Sequence, residues 1–200
     1  MRDYEKLSRA HFNGQAAQYD ANNTYYYSDP AKISCHDTAQ RLRDVGCGTG
    51  YLLALLADQK PAEYHGLDLS DEMVRVAQEK NIAGAVLVQG SADRLPYEDA
   101  SFDVVTCIQS FHHYPHPDKA MRKAWRVLKP GGLYLISDTG IGGIGGWIDN
   151  KLIFPLLKSG DARAENRHGI ARGMRRNGFE VVEGRRIKGF IYTVAGKKPG

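Results

Sequence analysis

"RDVGCGTGYLL", residues 43–53, is the stretch on which the fold turns. Gly46, Gly48 and Gly50 crowd a turn between a short run ending at Val45 and an apolar helical stretch opening at Tyr51. Glycines let the backbone pass close to a ligand, and the first N–H groups of the following helix are free to face an anion. Open α/β sheets hold nucleotides with such a turn, at the carboxyl ends of their strands.

Reading outward toward the C-terminus, strand-like and helical patterns alternate. "YLLALLADQ" reads as a helix, "EYHGLDLS" as a strand, and "DEMVRVAQEK" as a helix with Ser70 as N-cap and Asp71 and Glu72 in its first turn. "AVLVQG" is a third strand. "FDVVTCIQS" is a fourth, nearly continuous in apolar residues, as a strand buried on both faces is. A helix through "DKAMRKAWRVL" aligns Ala120, Ala124, Val127 and Leu128 on one face, "PGG" stops it, and "LYLISD" is a fifth strand. This alternation predicts a doubly wound, mostly parallel sheet with right-handed crossovers. The end differs. Only Lys188 and Gly189 separate "FEVVEGRRI" from "FIYTVAG", too few residues for a crossover helix, so an antiparallel hairpin is expected.

The nucleotide is narrowed by spacing. Asp68 lies 22 residues after Gly46, at the end of the second strand, where a carboxylate accepts hydrogen bonds from both ribose hydroxyls; a helix cap or loop acid is the plainer reading. A dinucleotide fingerprint places a glycine at position 51, and this chain has Tyr51, which weakens a nicotinamide reading. Asp93, after the third strand, stands where an adenine amine would meet an acceptor, or serves as an ordinary loop acid.

"DVGCGTG", "GLDLSDEM", "GSADRLPYEDASFDVV" and "RVLKPGG" occur in the order seen in class I S-adenosylmethionine-dependent methyltransferases, and the chain resembles the branch containing the ubiquinone/menaquinone-biosynthesis enzymes. "HFNGQAAQYD" is similar to that branch's N-terminal cap segment. The resemblance implies a Rossmann-like seven-stranded sheet with an antiparallel last strand. It implies a single domain over 1–200, with 1–37 as a helical cap and 38–200 as the core. It brings Asp44, Gly46 and Gly48 near the methionine end of the cofactor, Asp68 to the ribose, and Leu69 and Met73 beside the adenine. Ala92 and Asp93 address the adenine edge, Gln109 lies by the reacting end, and Tyr19 of the cap matches a position close to the cofactor.

A sulfonium-bound methyl group is electrophilic, so alignment and exclusion of water carry most of the transfer, and a base is needed only for a poorly acidic acceptor. The candidates for that base are His112 and His113 in "SFHHYPH". One packing and the other orienting a loop is the alternative. A metal on His112, His113 and His116 is not expected, since the spacing matches no zinc motif and Pro115 interrupts it. The glycine-rich "TGIGGIGGWIDN" reads as an acceptor-pocket wall carrying Trp147 and Ile148, or as a flexible connection, and "KLIFPLLK" as core. Tyr25, Tyr26 and Tyr27 suit an aromatic acceptor or a half-buried cap surface equally.

Composition sets the outer bounds. A net charge of +4 and scattered basic residues, Arg172, Arg175 and Arg176 included, call for no nucleic acid. Three cysteines without paired spacing fit a reducing cytoplasm, and the polar N-terminus and short apolar runs point to a soluble protein off the membrane. The acceptor is expected to be a small molecule; a homodimer is compatible with the chain, and no feature argues for it. A non-catalytic S-adenosylmethionine-binding regulator and a nicotinamide-dependent oxidoreductase are the competing readings.

One feature conflicts with the rest. The first strand should be central and mostly apolar, yet "TAQRLRDVG" supplies only Leu42 and Val45, with Arg41 and Arg43 beside them. "SCHDTAQRLR" reads as a helix running into the turn, with strand residues missing between Arg43 and Asp44.

Overall fold

The computed structural model describes residues 3–23, 39–60, 62–141, 143–157 and 159–200. Tyr25, Tyr26, Tyr27 and the part of the cap from 24 to 37 lie outside the described residues. In chain order the elements are α1 (Tyr4–Gln15), α2 (Tyr19–Asn23), β1 (Arg41–Val45), α3 (Tyr51–Ala57), β2 (Glu63–Asp68), α4 (Asp71–Glu79) and β3 (Ala85–Gln89). There follow β4 (Phe102–Ile108), α5 (Pro117–Val127), β5 (Leu128–Thr139), α6 (Gly143–Ile148), α7 (Arg167–Arg176), β6 (Glu180–Lys188) and β7 (Ile191–Lys197).

One sheet runs β3-β2-β1-β4-β5-β7-β6, parallel except for β7, which is antiparallel to both neighbours. The fold class read from the sequence therefore holds, hairpin included. Order reverses between β1 and β4, and that switch point opens a crevice at the strands' carboxyl ends. Apolar clusters fill both faces. Leu52, Leu53 and Leu56 of α3 pack on one. Ala120, Met121, Ala124 and Val127 of α5 and Ile170 and Met174 of α7 pack on the other. Ser70 caps α4 as expected, accepting from Met73 N at 3.1 Å. Leu128 begins β5 rather than ending α5. No helix among the described residues is long and apolar enough to cross a membrane.

The first strand corrects the sequence reading. Arg41–Val45 is a strand, not the end of a helix, and it pairs without a gap: Arg41↔Glu63 through Val45↔Leu67 on one side, Leu42↔Val104 through Asp44↔Thr106 on the other. No break opens between Arg43 and Asp44. Two neighbours supply the backbone partners, so tertiary pairing overrides a poor local pattern. Asp103 fixes the entry by accepting from Gln40 N at 3.0 Å and Arg41 N at 2.9 Å. Arg41 meets Glu63 across the strands at 2.7 Å. Arg43 is fully buried with its guanidinium 4.0 Å from the centre of the Tyr97 ring.

Candidate functional site

The glycine turn takes its shape from backbone that other residues rarely adopt. Gly46 has φ +77°, and Gly46 N and Cys47 N donate to Leu67 O at 2.7 and 3.1 Å, hooking the turn onto the end of β2. A Cβ on Gly46 would stand 2.0 Å from Ser110 Oγ. At Gly48, φ +52°, the nearest atom to such a Cβ is Tyr19 Cε1 at 3.7 Å, so the turn faces open space beneath that ring.

Asp68 joins this turn to the start of α4. Its Oδ2 accepts from Gly48 N at 2.8 Å and its Oδ1 from Ser70 N at 2.8 Å. Burial raises its pKa, and the N–H groups of Ser70, Gly48 and Leu69 pull back toward the carboxylate. Asp44 lies beneath the turn, 1% exposed, with Thr106 Oγ1 donating to its Oδ1 at 2.7 Å. Its Oδ2 has no partner among the described residues, and burial lifts its pKa to about 7 against the Thr106 bond.

A cavity opens above these residues. Tyr19, Gly46, Gly48, Asp68, Leu69 and Met73 line it, as do Ala92, Asp93, Gln109 and His113. Two sequence candidates do not line it. Asp44 turns its carboxyl into the protein beneath the turn, toward Thr106, and His112 turns into a buried acidic network. Trp147 and Ile148 do not line it either; Trp147 is 60% exposed on α6, so the expected wall is elsewhere. Leu152, Leu156 and Leu157, expected as core, are exposed too.

The floor at the β4 end is strained. Gln109 takes φ +49°, its Oε1 accepts from Thr139 Oγ1 at 2.6 Å, and its buried Nε2 has no partner among the described residues. Asp93 is ion-paired to Lys119 at 3.1 Å. Tyr114 bolts the loop after β4 under the glycine turn, its hydroxyl donating to Val45 O at 3.0 Å. Burial drives the thiols of Cys47 and Cys107 well above their usual pKa, so neither is a reactive thiolate.

The two histidines have separate surroundings. His112 Nδ1 meets Asp138 Oδ1 at 2.7 Å, while its backbone N donates to Asp138 Oδ2 at 3.0 Å. Burial opposes charge on the ring, but Asp138 and Asp161 outweigh it and its pKa is raised. His113, stacked edge-on against Phe12 with ring centres 4.9 Å apart, faces the cavity. Burial and then its neighbour His112 hold it neutral, its pKa pushed down to about 3.

Several residues of the site were not legible. Glu5, Ser8, Arg9 and Phe12 of α1 line the cavity, held there by Arg9 and Asn13 on Asp71 and by Ser91 on Glu5. Asp138 ends "LYLISD", and an acid at a strand's carboxyl edge is the signal that could have marked it. Asp161 has no local signal at all.

Residues 43–136 match the family described as "Methyltransferase domain". A fatty-acid O-methyltransferase of Mycolicibacterium smegmatis is 39% identical over 115 residues, 56% of this chain and 41% of that protein. YcgJ of Bacillus subtilis, an uncharacterized methyltransferase, is 40% identical over 102 residues, 49% of this chain and 40% of that protein. The alignments thus span about two fifths of the length of these curated relatives. The YcgJ crystal structure superposes with a TM-score of 0.73 at 20% identity, covering 89% of this chain and all of that one. The [4+2]-cyclase SpnF superposes at 0.78 and 18% identity, covering 98% and 96%. The fold is the Rossmann-like one of these proteins. The relatives do not single out the ubiquinone-type branch.

Proposed function

We propose that this chain is an S-adenosylmethionine-dependent methyltransferase of a small-molecule acceptor, a single domain with the described N-terminal residues 3–23 covering the site. The observation that carries this reading is Asp68, pinned by Gly48 N and Ser70 N at the edge of a glycine turn, with Asp68, Gly46 and Gly48 all lining one cavity. With backbone N–H groups of Gly48, Ser70 and Leu69 addressing its two oxygens, the carboxylate keeps acceptor capacity for a ribose hydroxyl. Gly46 and Gly48 present backbone to the amino-acid end, with Asp44 supporting the turn from below. Leu69, Met73 and Ala92 supply apolar contact for the adenine, with Asp93 at its edge. Tyr19 closes over Gly48, and the free amide of Gln109 faces the reacting end. S-adenosylmethionine supplies the electrophilic methyl group. The protein aligns the acceptor and keeps out water under α1. His113 faces the acceptor, and His112 stands behind it on Asp138.

An acceptor with an apolar portion suits the Phe12, Val45, Leu67, Leu69 and Met73 side of the cavity lining. The similarity to a fatty-acid methyltransferase supports the same class.

The test is calorimetric titration of the purified protein with S-adenosylmethionine, with NAD as control ligand. Saturable binding of S-adenosylmethionine alone, lost in Asp68→Ala, is expected. A folded protein that binds neither, or binds NAD instead, refutes the reading. Methyl transfer is then followed by mass spectrometry over fatty acids, hydroxylated lipids and phenols. Binding without transfer over a broad panel would point to a regulatory S-adenosylmethionine-binding protein.

A further inference from the structure

We propose that His112 Nε2, His113 Nδ1 and Asp161 form a binding site for a zinc-class divalent transition metal at the acceptor end of the cavity. Their ligand atoms all lie within 4.8 Å of one another. Asp161 Oδ1 is 3.5 Å from His112 Nε2 and 3.5 Å from His113 Nδ1. Both separations exceed the 2.7–3.2 Å of a good N–H···O bond. They are close to the roughly 3.3 Å edge of a tetrahedron whose bonds to the metal are about 2.0–2.1 Å.

His113 Nδ1 makes this more than a loose cluster. The residue is 9% exposed, and that nitrogen makes no close, well-aligned hydrogen bond among the described residues, its polar neighbours being Asp161 Oδ1 at 3.5 Å and the Gly160 backbone. A buried imidazole nitrogen held by contacts this long is costly unless something else satisfies it.

The surrounding bonds prepare the ligands. Asp138 binds His112 Nδ1 at 2.7 Å, which directs the lone pair of Nε2 toward Asp161, the carboxylate–histidine–metal arrangement of metalloenzymes. Ala162 N and Arg163 N donate to His112 O at 2.9 and 3.0 Å, tying the Asp161 loop to the histidine pair. Ser159 Oγ donates to Asp161 Oδ2, leaving Oδ1 toward the nitrogens. Gly160, φ +78°, fits there because a Cβ would stand 2.4 Å from Ser8 N. Two imidazoles and one carboxylate are a donor set for zinc, cobalt(II) or iron(II) rather than for magnesium, which prefers oxygen ligands. Since His113 lines the cavity, the open coordination position faces it, where an acceptor hydroxyl or carboxylate oxygen would bind. His116, counted with the histidines in the sequence, instead occupies the N-cap position of α5 without a side-chain capping bond.

The metal-stripped full chain is titrated with Zn²⁺ by calorimetry and with Co²⁺ by visible absorption. One equivalent per chain is expected, with cobalt bands of a four-coordinate N/O site. Asp161→Ala and His113→Ala should each abolish stoichiometric binding, and Asp138→Asn should weaken it about 10- to 100-fold. Circular dichroism checks that each variant is folded. S-adenosylmethionine titration is scored separately, so failure of the metal site is distinguishable from failure of the methyltransferase reading. No stoichiometric metal on the wild type, or metal retained in folded Asp161→Ala and His113→Ala alike, overturns the proposal.

Discussion

The two ends of the cavity are built by different means. The end formed by β1, β2 and their turns consists of backbone N–H groups, left-handed glycines and one carboxylate, nearly all within residues 44–73. The other end is made of side chains converging from α1, the loop after β4, the end of β5 and the loop at Asp161. Local sequence dictates the first; only the sheet topology brings the second together. Gly46 is where they touch, its backbone fitted against Ser110.

That contact gives the largest expected effect. Gly46→Ala must place a Cβ 2.0 Å from Ser110 Oγ at φ +77°. Overpacking costs about 1–3 kcal/mol and the left-handed backbone about 1–3 kcal/mol more, so thermal denaturation should show a loss of roughly 2–6 kcal/mol. Adding Ser110→Gly should recover the steric part only. Full recovery would mean that the backbone at Gly46 relaxes, and that the two ends are less tightly coupled than their packing suggests.

Next comes pH. Asp44 has a folded pKa of about 7 against 3.8 for the free side chain, so the protonated form favours the fold. Its contribution is fully present below about pH 4 and is lost as pH rises to about 7, a difference of up to roughly 4 kcal/mol at 1.4 per unit. Urea denaturation of wild type and Asp44→Asn across pH 4–8 should give curves that diverge, with the variant gaining toward pH 8. Parallel curves would show that Asp44 titrates normally and that the space beneath the turn is wet.

How far the sequence speaks follows the same division. The alternation of strands and helices, the β6–β7 hairpin, Ser70 as a cap and Asp68 at the turn were readable because each depends on residues close in the chain. Asp93 stands at a strand end that the alternation locates, whereas Gln109 is pointed to by the resemblance alone. Asp161 was not readable, because its meeting with His113 depends on how the long segment after β5 packs back. The first strand was misread for a related reason. Arg41 and Arg43 look wrong for a central strand until Glu63, Phe102 and Tyr97 are seen around them.

Arg43 tests that correction. A buried guanidinium held chiefly against Tyr97 carries a desolvation cost that this one side chain offsets only in part. Arg43→Leu should raise stability by about 1–3 kcal/mol, read from the denaturation midpoint. A loss instead would show that Arg43 is needed in the centre of the sheet.

The smallest effect on stability belongs to α1, and there the comparison is sharpest. Arg9 pairs with Asp71 at 2.8 Å, both side chains about half exposed, and exposed pairs contribute little. Arg9→Ala should shift global stability by less than about 1 kcal/mol. The same residue lines the cavity and links α1 to the first turn of α4, so its loss should loosen the cover over bound S-adenosylmethionine. Stopped-flow release should therefore quicken while the denaturation midpoint barely moves. If the midpoint falls as far as release quickens, α1 is part of the core rather than a cover, and the acceptor end is as rigid as the glycine turn facing it.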